Sequence, residues 1–263
     1  MEFRTLASSS AGNAALVCHE NTHILIDADI SCRRIAQSLA ALGLTLAELD
    51  AVLITHEHID HVRGLGTLMK KCAVPLCMSR GTAAALGCPA ERLRIVSPES
   101  RFSVGALTVL PFRTSHDAQE SVCYRIDGDG GSLAVLTDTG RITDEARAAV
   151  LGTELLLLEA NHDVEMLRSG PYPCYLKQRI LSDRGHLSNG AAAEFALECA
   201  EHGTEDILLA HLSAENNTPQ LAEYTVGRAL QAGGLSVRLA AAPRDTISEV
   251  HLCRRLPSFA SAN

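Results

Sequence analysis

Ala51-Val52-Leu53-Ile54-Thr55-His56-Glu57-His58-Ile59-Asp60-His61 is an apolar run that breaks into three imidazoles and two carboxylates over six positions. The run, Asp50 to Thr55, reads as a buried strand, and the polar cluster as the place where a sheet opens into a loop. Alternate residues His56 and His58 can point to one metal ion while Asp60 and His61 point to a second. A purely scaffolding role would require many satisfied hydrogen bonds for so dense a cluster at a strand end. A metal site accounts for it more simply.

The same arrangement recurs along the chain. Thr22 to Ile26 ends in Asp27, Leu133 to Thr137 in Asp138, Leu155 to Leu158 in Glu159 and Ile207 to Ala210 in His211, with further strands expected over Leu107 to Phe112 and Ser121 to Ile126. Apolar strands that end in potential ligands are expected of a layered α/β fold whose site collects on loops at one end of the sheet. Helical periodicity covers Ser31 to Leu42 and Arg63 to Lys71. Ser188 to Cys199 is an Ala-rich helix with Ser188 as N-cap and Gly203 just past its end.

Composition narrows the class. With 263 residues, 46% hydrophobic and 3% aromatic, the core is built from Ala, Leu, Val and Ile, and one domain over 1–263 is expected, with a short loose tail from about 256. No run approaches the length of a membrane span, and Met1-Glu2-Phe3-Arg4 leads into strand-like sequence rather than an apolar signal core. A cytoplasmic protein without a membrane partner is expected. Nine cysteines without a CxxC pair read as reduced, mostly buried small hydrophobes. Cys77 and Cys123 lie in strand-like runs with no base nearby, which disfavours either as a nucleophile. The net charge of −8 argues against nonspecific coating of nucleic acid. It leaves room for local phosphate contacts, because two bound dications would offset an acidic site.

Asp27, the 56–61 cluster, His116 in Thr114-Ser115-His116-Asp117, Asp138 in Thr137-Asp138-Thr139-Gly140 and His211 in Ala210-His211-Leu212-Ser213 follow one another in an order that resembles the five motifs of the metallo-β-lactamase superfamily. The match covers nearly the whole chain. The resemblance implies an α/β (α+β) fold, the four-layer αββα sandwich of two mixed sheets packed face to face with helices outside. It implies that His56, His58 and His116 hold one divalent ion, that Asp60, His61 and His211 hold a second, that Asp138 bridges both, and that Asp27 orients a ligand histidine through its free ring nitrogen. Imidazoles and carboxylates without a thiolate suit Zn²⁺, Mn²⁺ or Fe²⁺, and the bridged arrangement favours a shared hydroxide as nucleophile at neutral pH.

Four longer motifs point to one branch. Ala7-Ser8-Ser9-Ser10-Ala11-Gly12-Asn13, Glu159-Ala160-Asn161-His162-Asp163, Gly185-His186-Leu187-Ser188-Asn189 and His211-Leu212-Ser213-Ala214-Glu215-Asn216-Asn217 resemble the YycJ/WalJ-like metallohydrolases. That group is regarded as metal-dependent phosphodiesterases, with exonuclease activity from the 5′ end of DNA. Two positions depart from its usual pattern. Asp29 stands where Gly is common, and Asp tolerates a left-handed backbone better than most residues. Ile59 replaces a small polar residue and changes packing beside the metals rather than a ligand.

The resemblance also suggests roles beyond the metals. Glu159 and His186 are similar to the pair that tRNA 3′-processing relatives place beside the dinuclear centre. His186 would protonate a leaving oxygen or hold the scissile phosphate while Glu159 fixes its tautomer; the plainer reading has His186 bonding backbone at a helix start. Asp60, His186 and Glu159 are thus the catalytic candidates. Ser10 and Asn13, in a small-residue loop with Ser8, Ser9 and Gly12, would present N–H groups and hydroxyls to a phosphate, although a plain turn has the same composition. His162, one helical turn past Glu159, either contacts substrate or caps a helix, and Asn189 completes the substrate-binding candidates. His19, His23, His202 and His251 carry no ligand spacing and read as structural. Lys70-Lys71 reads as a solvated pair, whereas Lys177, Arg179 and Arg184, just before His186, are the better candidates for nucleic-acid phosphates.

The expected activity is therefore that of a dinuclear metallophosphodiesterase, a nuclease acting on DNA ahead of RNA, with a place in DNA repair if DNA is the substrate. The rival is a small-molecule hydrolase of a thioester, lactone or cyclic phosphate, which the acidic charge favours and the Gly185–Asn189 element and Ser-rich loop do not. A degenerate scaffold is disfavoured because every ligand position is filled. The stretch from Asp138 to His211 is too short for an inserted β-CASP domain, which needs at least about 50 residues beyond the connecting elements.

Overall fold

The computed structural model describes residues 1–253, so the tail expected from about 256 lies outside the described residues. Strands β1 (Glu2–Ser9), β2 (Gly12–His19), β3 (Thr22–Ile26), β4 (Ala51–Leu53), β5 (Leu76–Met78) and β6 (Leu93–Ile95) lie side by side in one sheet. Strands β7 (Phe102–Val104), β8 (Leu107–Arg113), β9 (Val122–Gly128), β10 (Gly131–Leu136), β11 (Leu155–Glu159), β12 (Asp206–Ala210) and β13 (Arg238–Ala241) form the other. β14 (His251–Leu252) returns to the first sheet and pairs with β1.

The two sheets share one plan. In the first, β14, β1, β2 and β3 pair antiparallel and β3 to β6 parallel. In the second, β7 to β10 pair antiparallel and β10 to β13 parallel. Central strands such as Leu155-Leu156-Leu157-Leu158 are apolar throughout because both faces are covered. Phe3, Val17, Ile24 and Leu53 of one sheet meet Val109, Tyr124, Ile126 and Leu157 of the other in the core between them.

Helices cover the outer faces, which makes four layers. The first sheet is packed by α1 (Cys32–Ala41), α2 (Ile59–Val62), α3 (Leu65–Lys71) and α4 (Arg80–Leu86), through Ile35, Leu39, Val62, Leu68 and Ala83. The second is packed by α5 (Asp144–Val150), then, beyond α6 (Val164–Ser169) and α7 (Cys174–Ile180), by α8 (Asn189–Glu201) and α9 (Pro219–Ala232), through Ala146, Phe195, Ala196, Val226 and Leu230. Starts are marked by side chains that accept backbone N–H bonds: Ser31, Ser79, Thr143, Ser188 and Thr218 each cap a helix.

One expectation changes. The helix read over Arg63 to Lys71 begins earlier, at Ile59, and is broken at Gly64 into α2 and α3. Gly64 N–H donates to Ala28 O at 2.8 Å, and a Cβ at this position would come 2.8 Å from Ala28 O and closer still to Ile30 O. The chain after β3 therefore packs directly on the backbone of Gly64, and this sets α2 beneath the ends of β3 and β4.

Candidate metal centre

Because β3 and β4 run parallel, as do β10, β11 and β12, their C-terminal ends face the same way. Asp27, Asp138 and His211 follow β3, β10 and β12, and each has a left-handed backbone, with φ of +57°, +54° and +58°. Non-glycine residues in this region cost on the order of 1–3 kcal/mol each and persist only where the surroundings hold them. Here three such residues surround one spot. The left-handed turn anticipated at Asp29 occurs instead at Asp27, and Asp29 N–H donates to Asn13 O at 3.1 Å.

The histidines and carboxylates of the sequence motifs converge. Donor atoms of His56, His58 and His116 lie within 4.8 Å of one another, as do those of Asp60, His61 and His211, and Asp138 groups both with His56 and His61 and with Glu159, His186 and His211. Asp138 Oδ1 is 3.7 Å from His116 Nε2 and 3.6 Å from His211 Nε2, so its carboxylate stands between the two trios. Asp138 Oδ2 comes within 3.1 Å of His61 Nε2 but not in hydrogen-bonding geometry.

Contacts around these residues fix their ring orientations. Asp27 Oδ2 accepts from His61 Nδ1 at 2.7 Å, while its Oδ1 accepts from Thr55 N–H at 2.9 Å. The Thr55 hydroxyl also lies 3.1 Å from His56 Nδ1. Gly185 O accepts from His116 Nδ1 at 3.2 Å. Glu159 Oε1 accepts from His211 Nδ1 at 2.9 Å and from His186 Nδ1 at 2.8 Å, and its Oε2 from the N–H groups of Thr139 and Leu187. With every Nδ1 of His61, His116 and His211 engaged, their Nε2 atoms are left for the centre.

The electrostatics fit a cationic guest. His56 Nε2 and Asp138 Oδ2 are buried without a hydrogen-bond partner, although buried polar atoms are rarely left so. Burial drives the His56 imidazole well below its usual pKa, which keeps it a neutral donor. Burial also opposes ionisation of Asp138, but His211 and His61 outweigh it and hold the carboxylate well below its usual range. For His61, the carboxylates of Asp138 and Asp27 overcome burial and raise the pKa well above normal; His211 is lifted to about 10 in the same way, chiefly by Asp138. Protons thus stand in on these imidazoles for positive charge that the carboxylates demand. Divalent ions would supply that charge, and the all-imidazole and carboxylate donor set suits them.

Some candidates sit elsewhere than the sequence suggested. Asn189 is buried and exchanges a reciprocal amide pair with Asn217, at 2.9 and 2.8 Å, and it does not line the cavity over the centre. His162 does not line it either. The segment after Glu159 is extended, with His162 in a bridge to Ser188, so no helical turn carries the ring into the cleft, and Asp163 rather than His162 caps α6. Burial lowers the His162 pKa to about 4. Asn13 Nδ2 donates to Ser9 O and Asp60 O, which ties the β1–β2 hairpin to α2. In that hairpin Ser8 Oγ accepts from His211 N–H, Ser9 Oγ from Ala11 N–H, and Ser10 N–H donates to Leu212 O. Most donors of the loop are committed internally, and Ser10 alone of its serines lines the cavity.

The cavity has a volume of about 350 Å³ and is lined by Asp60, Asp138, His58, His186 and His211, by the apolar Ile59, Tyr172, Leu176 and Ile180, and by Arg63 and Arg179. Ile59 is 63% exposed at its mouth. Sequence reading missed Thr55, Asn161 and Asp117. Asn161 lines the cavity and donates to His211 O at 2.9 Å; Asp117 lies 3.5 Å from His116 Nε2. Asn161 and Asp117 lie inside quoted motifs and Thr55 just before one, but nothing in the sequence assigned any of them a role. The remaining histidines pair within the scaffold: His19 with Asp129, His251 with Asp206, His23 with Glu48 O and His202 with Glu198 O. The cysteines are free thiols, and burial pushes Cys77 up to about 11, against a nucleophilic role.

Comparison with known proteins agrees with this geometry. A family model described as "Beta-lactamase superfamily domain" matches residues 22–212. The chain is 36% identical to the exodeoxyribonuclease YycJ of Bacillus anthracis over 251 residues, covering 94% of this chain and 95% of that protein. It is 38% identical to the exodeoxyribonuclease WalJ of Streptococcus pneumoniae over 243 residues, covering 90% of each. Among solved structures, the metallo-β-lactamase fold protein YhfI of Bacillus subtilis superposes with a TM-score of 0.70 at 16% identity, covering 94% of this chain and 99% of that one. The chain belongs to the metallo-β-lactamase superfamily, in its YycJ/WalJ branch, and is a metal-dependent hydrolase.

Proposed function

We propose that the chain is a dinuclear metal-dependent phosphodiesterase that removes nucleotides from the 5′ end of DNA. The observation that carries the reading is the buried Glu159 carboxylate shared between His211 and His186, which ties a ring on the cavity wall to a ring of the metal cluster. In this reading His56, His58 and His116 hold one ion, Asp60, His61 and His211 the other, and Asp138 both. Zn²⁺ and Mn²⁺ suit the donor set, and Fe²⁺ is compatible. Such ions supply Lewis acidity toward a phosphoryl oxygen and lower the pKa of water.

The chain's own groups do the rest. Glu159 fixes the His186 tautomer through Nδ1, leaving Nε2 to carry a proton to the leaving oxygen. His186 is 16% exposed, so it reaches the cavity while most of its surface is shielded from water. The apolar wall of Ile59, Tyr172, Leu176 and Ile180 offers contact to a base or sugar. Two relatives named as exodeoxyribonucleases, matched over nine-tenths of their length, support DNA as the substrate.

The test sets bis(p-nitrophenyl) phosphate against a thioester and a lactone, with protein reconstituted in Mn²⁺ or Zn²⁺. The phosphodiester should be cleaved, and His186→Ala should lower kcat by about 10²–10⁴-fold while retaining the metals. Cleavage of the thioester or lactone alone would replace this reading with that of a small-molecule hydrolase.

A further inference from the structure

A second cavity, of about 680 Å³, adjoins the first: Ala11 and Arg63 line both. Its wall carries Arg33, Arg34, Arg63, Lys71 and Arg244, opposed by the carboxylates of Asp29 and Asp245. In a chain of net charge −8 this is a local reversal of sign. Arg63 lies 3.3 Å from Asp29, Arg34 lies 3.6 Å from Asp245, and Arg244 donates to Leu212 O. Arg33 and Lys71 are exposed and have no acidic partner among the described residues. By contrast, the cations that the sequence favoured for phosphates are held by the scaffold. Lys177 donates to Arg168 O and Gly170 O, Arg184 donates to His116 O, and Arg179, although it lines the cavity over the centre, is paired with Asp117.

Cations concentrated in a concavity focus their field on whatever enters it, unlike the same charges spread over a convex helix face. We propose that this cavity seats backbone phosphates of the nucleic-acid strand whose neighbouring linkage lies at the metal centre. The inference rests on the phosphodiesterase reading and deepens it. The strand crosses the hairpin turn at Ser10-Ala11, with Arg63 as the cation common to both cavities. Arg33 and Lys71 supply the positive charge least compensated by the protein. Contacts of this kind go to phosphate and sugar and carry no base preference.

Binding of a short, fluorescently labelled, single-stranded phosphorothioate oligonucleotide to the metal-loaded full chain, followed by anisotropy over a salt series, tests this. The double variant Arg33→Ala/Lys71→Ala should bind roughly tenfold more weakly at low salt, and its log–log salt slope should fall by about 1.4, or about 0.7 per lost cation. The charge-matched control Arg168→Ala/Arg228→Ala, away from the cavity, should bind as the wild type does. Equal binding by the cavity variant, equal losses in both variants, or no binding by the wild type would each overturn the proposal. Hydrolysis of bis(p-nitrophenyl) phosphate by the wild type separates the two readings. Hydrolysis with cavity-independent oligonucleotide binding removes the cavity and leaves the phosphodiesterase; cavity-dependent binding without hydrolysis does the reverse.

Discussion

Asp27 illustrates how one side chain acts through another. It does not line the cavity over the centre, yet its Oδ2 holds His61 Nδ1 at 2.7 Å and thereby presents Nε2 to Asp138 and the centre. Asp27→Asn should weaken metal affinity by about 10–100-fold, read by competition with a chelating dye; wild-type affinity would refute the orienting role. The convergence of these residues was legible in the sequence because His56, His58, Asp60 and His61 lie within one short segment, and because the lone residues Asp27, Asp138 and His211 each end an apolar run. Asn13, His162 and Asn189 were not legible in the same way. Whether an amide faces a cavity or another amide, as Asn189 faces Asn217, depends on a residue far along the chain.

Secondary elements were readable where an apolar run or a capping residue stood out, as at β4, α1 and α8, but not α9 (Pro219–Ala232), although it is the longest helix among the described residues. Ser31 and Ser188 cap α1 and α8 as their types suggest, and Gly203, at φ +101°, follows the end of α8. The three-residue strands β6 and β7 escaped notice because so short a run has no periodicity to read. The break between α2 and α3 escaped for another reason: Gly64 is needed by the backbone of residues 28–30, which no local pattern reveals. Gly64→Ala should therefore cost on the order of 3 kcal/mol in denaturant unfolding, as overpacking does, and should loosen metal binding through the displaced α2. A loss no greater than the few tenths typical of a surface change would show that α2 is not held in this way.

The repeated order of antiparallel and parallel strands in the two sheets brings two sets of strand ends together, and the charged residues there link stability to pH. In metal-free protein, burial opposes ionisation of Glu159, but His186 and His211 lower its pKa from 4.5 to about 2, so its contribution is complete above 4.5 and is lost as pH falls through that window. His211 is raised from 6.5 to about 10, so its contribution is complete below 6.5 and is lost as pH rises toward 10. Because burial lowers the pKa of His56 and His162, those rings withdraw stability below 6.5, so metal-free protein should melt highest near pH 6.5 in a chelator, and metal should stabilise it increasingly as pH rises, because binding displaces ring protons. A metal-free Tm that climbs steadily from pH 6.5 to 9 would contradict this. No helix of the described residues is long and apolar enough to cross a membrane. The most direct test is hydrolysis of DNA labelled separately at each end by Mn²⁺- or Zn²⁺-reconstituted protein, with Asp138→Ala alongside. Mononucleotides should be released from the 5′ end in a metal-dependent way, and this release should disappear in the variant; a fully metallated wild type that cleaves no phosphodiester in DNA would contradict the exonuclease reading.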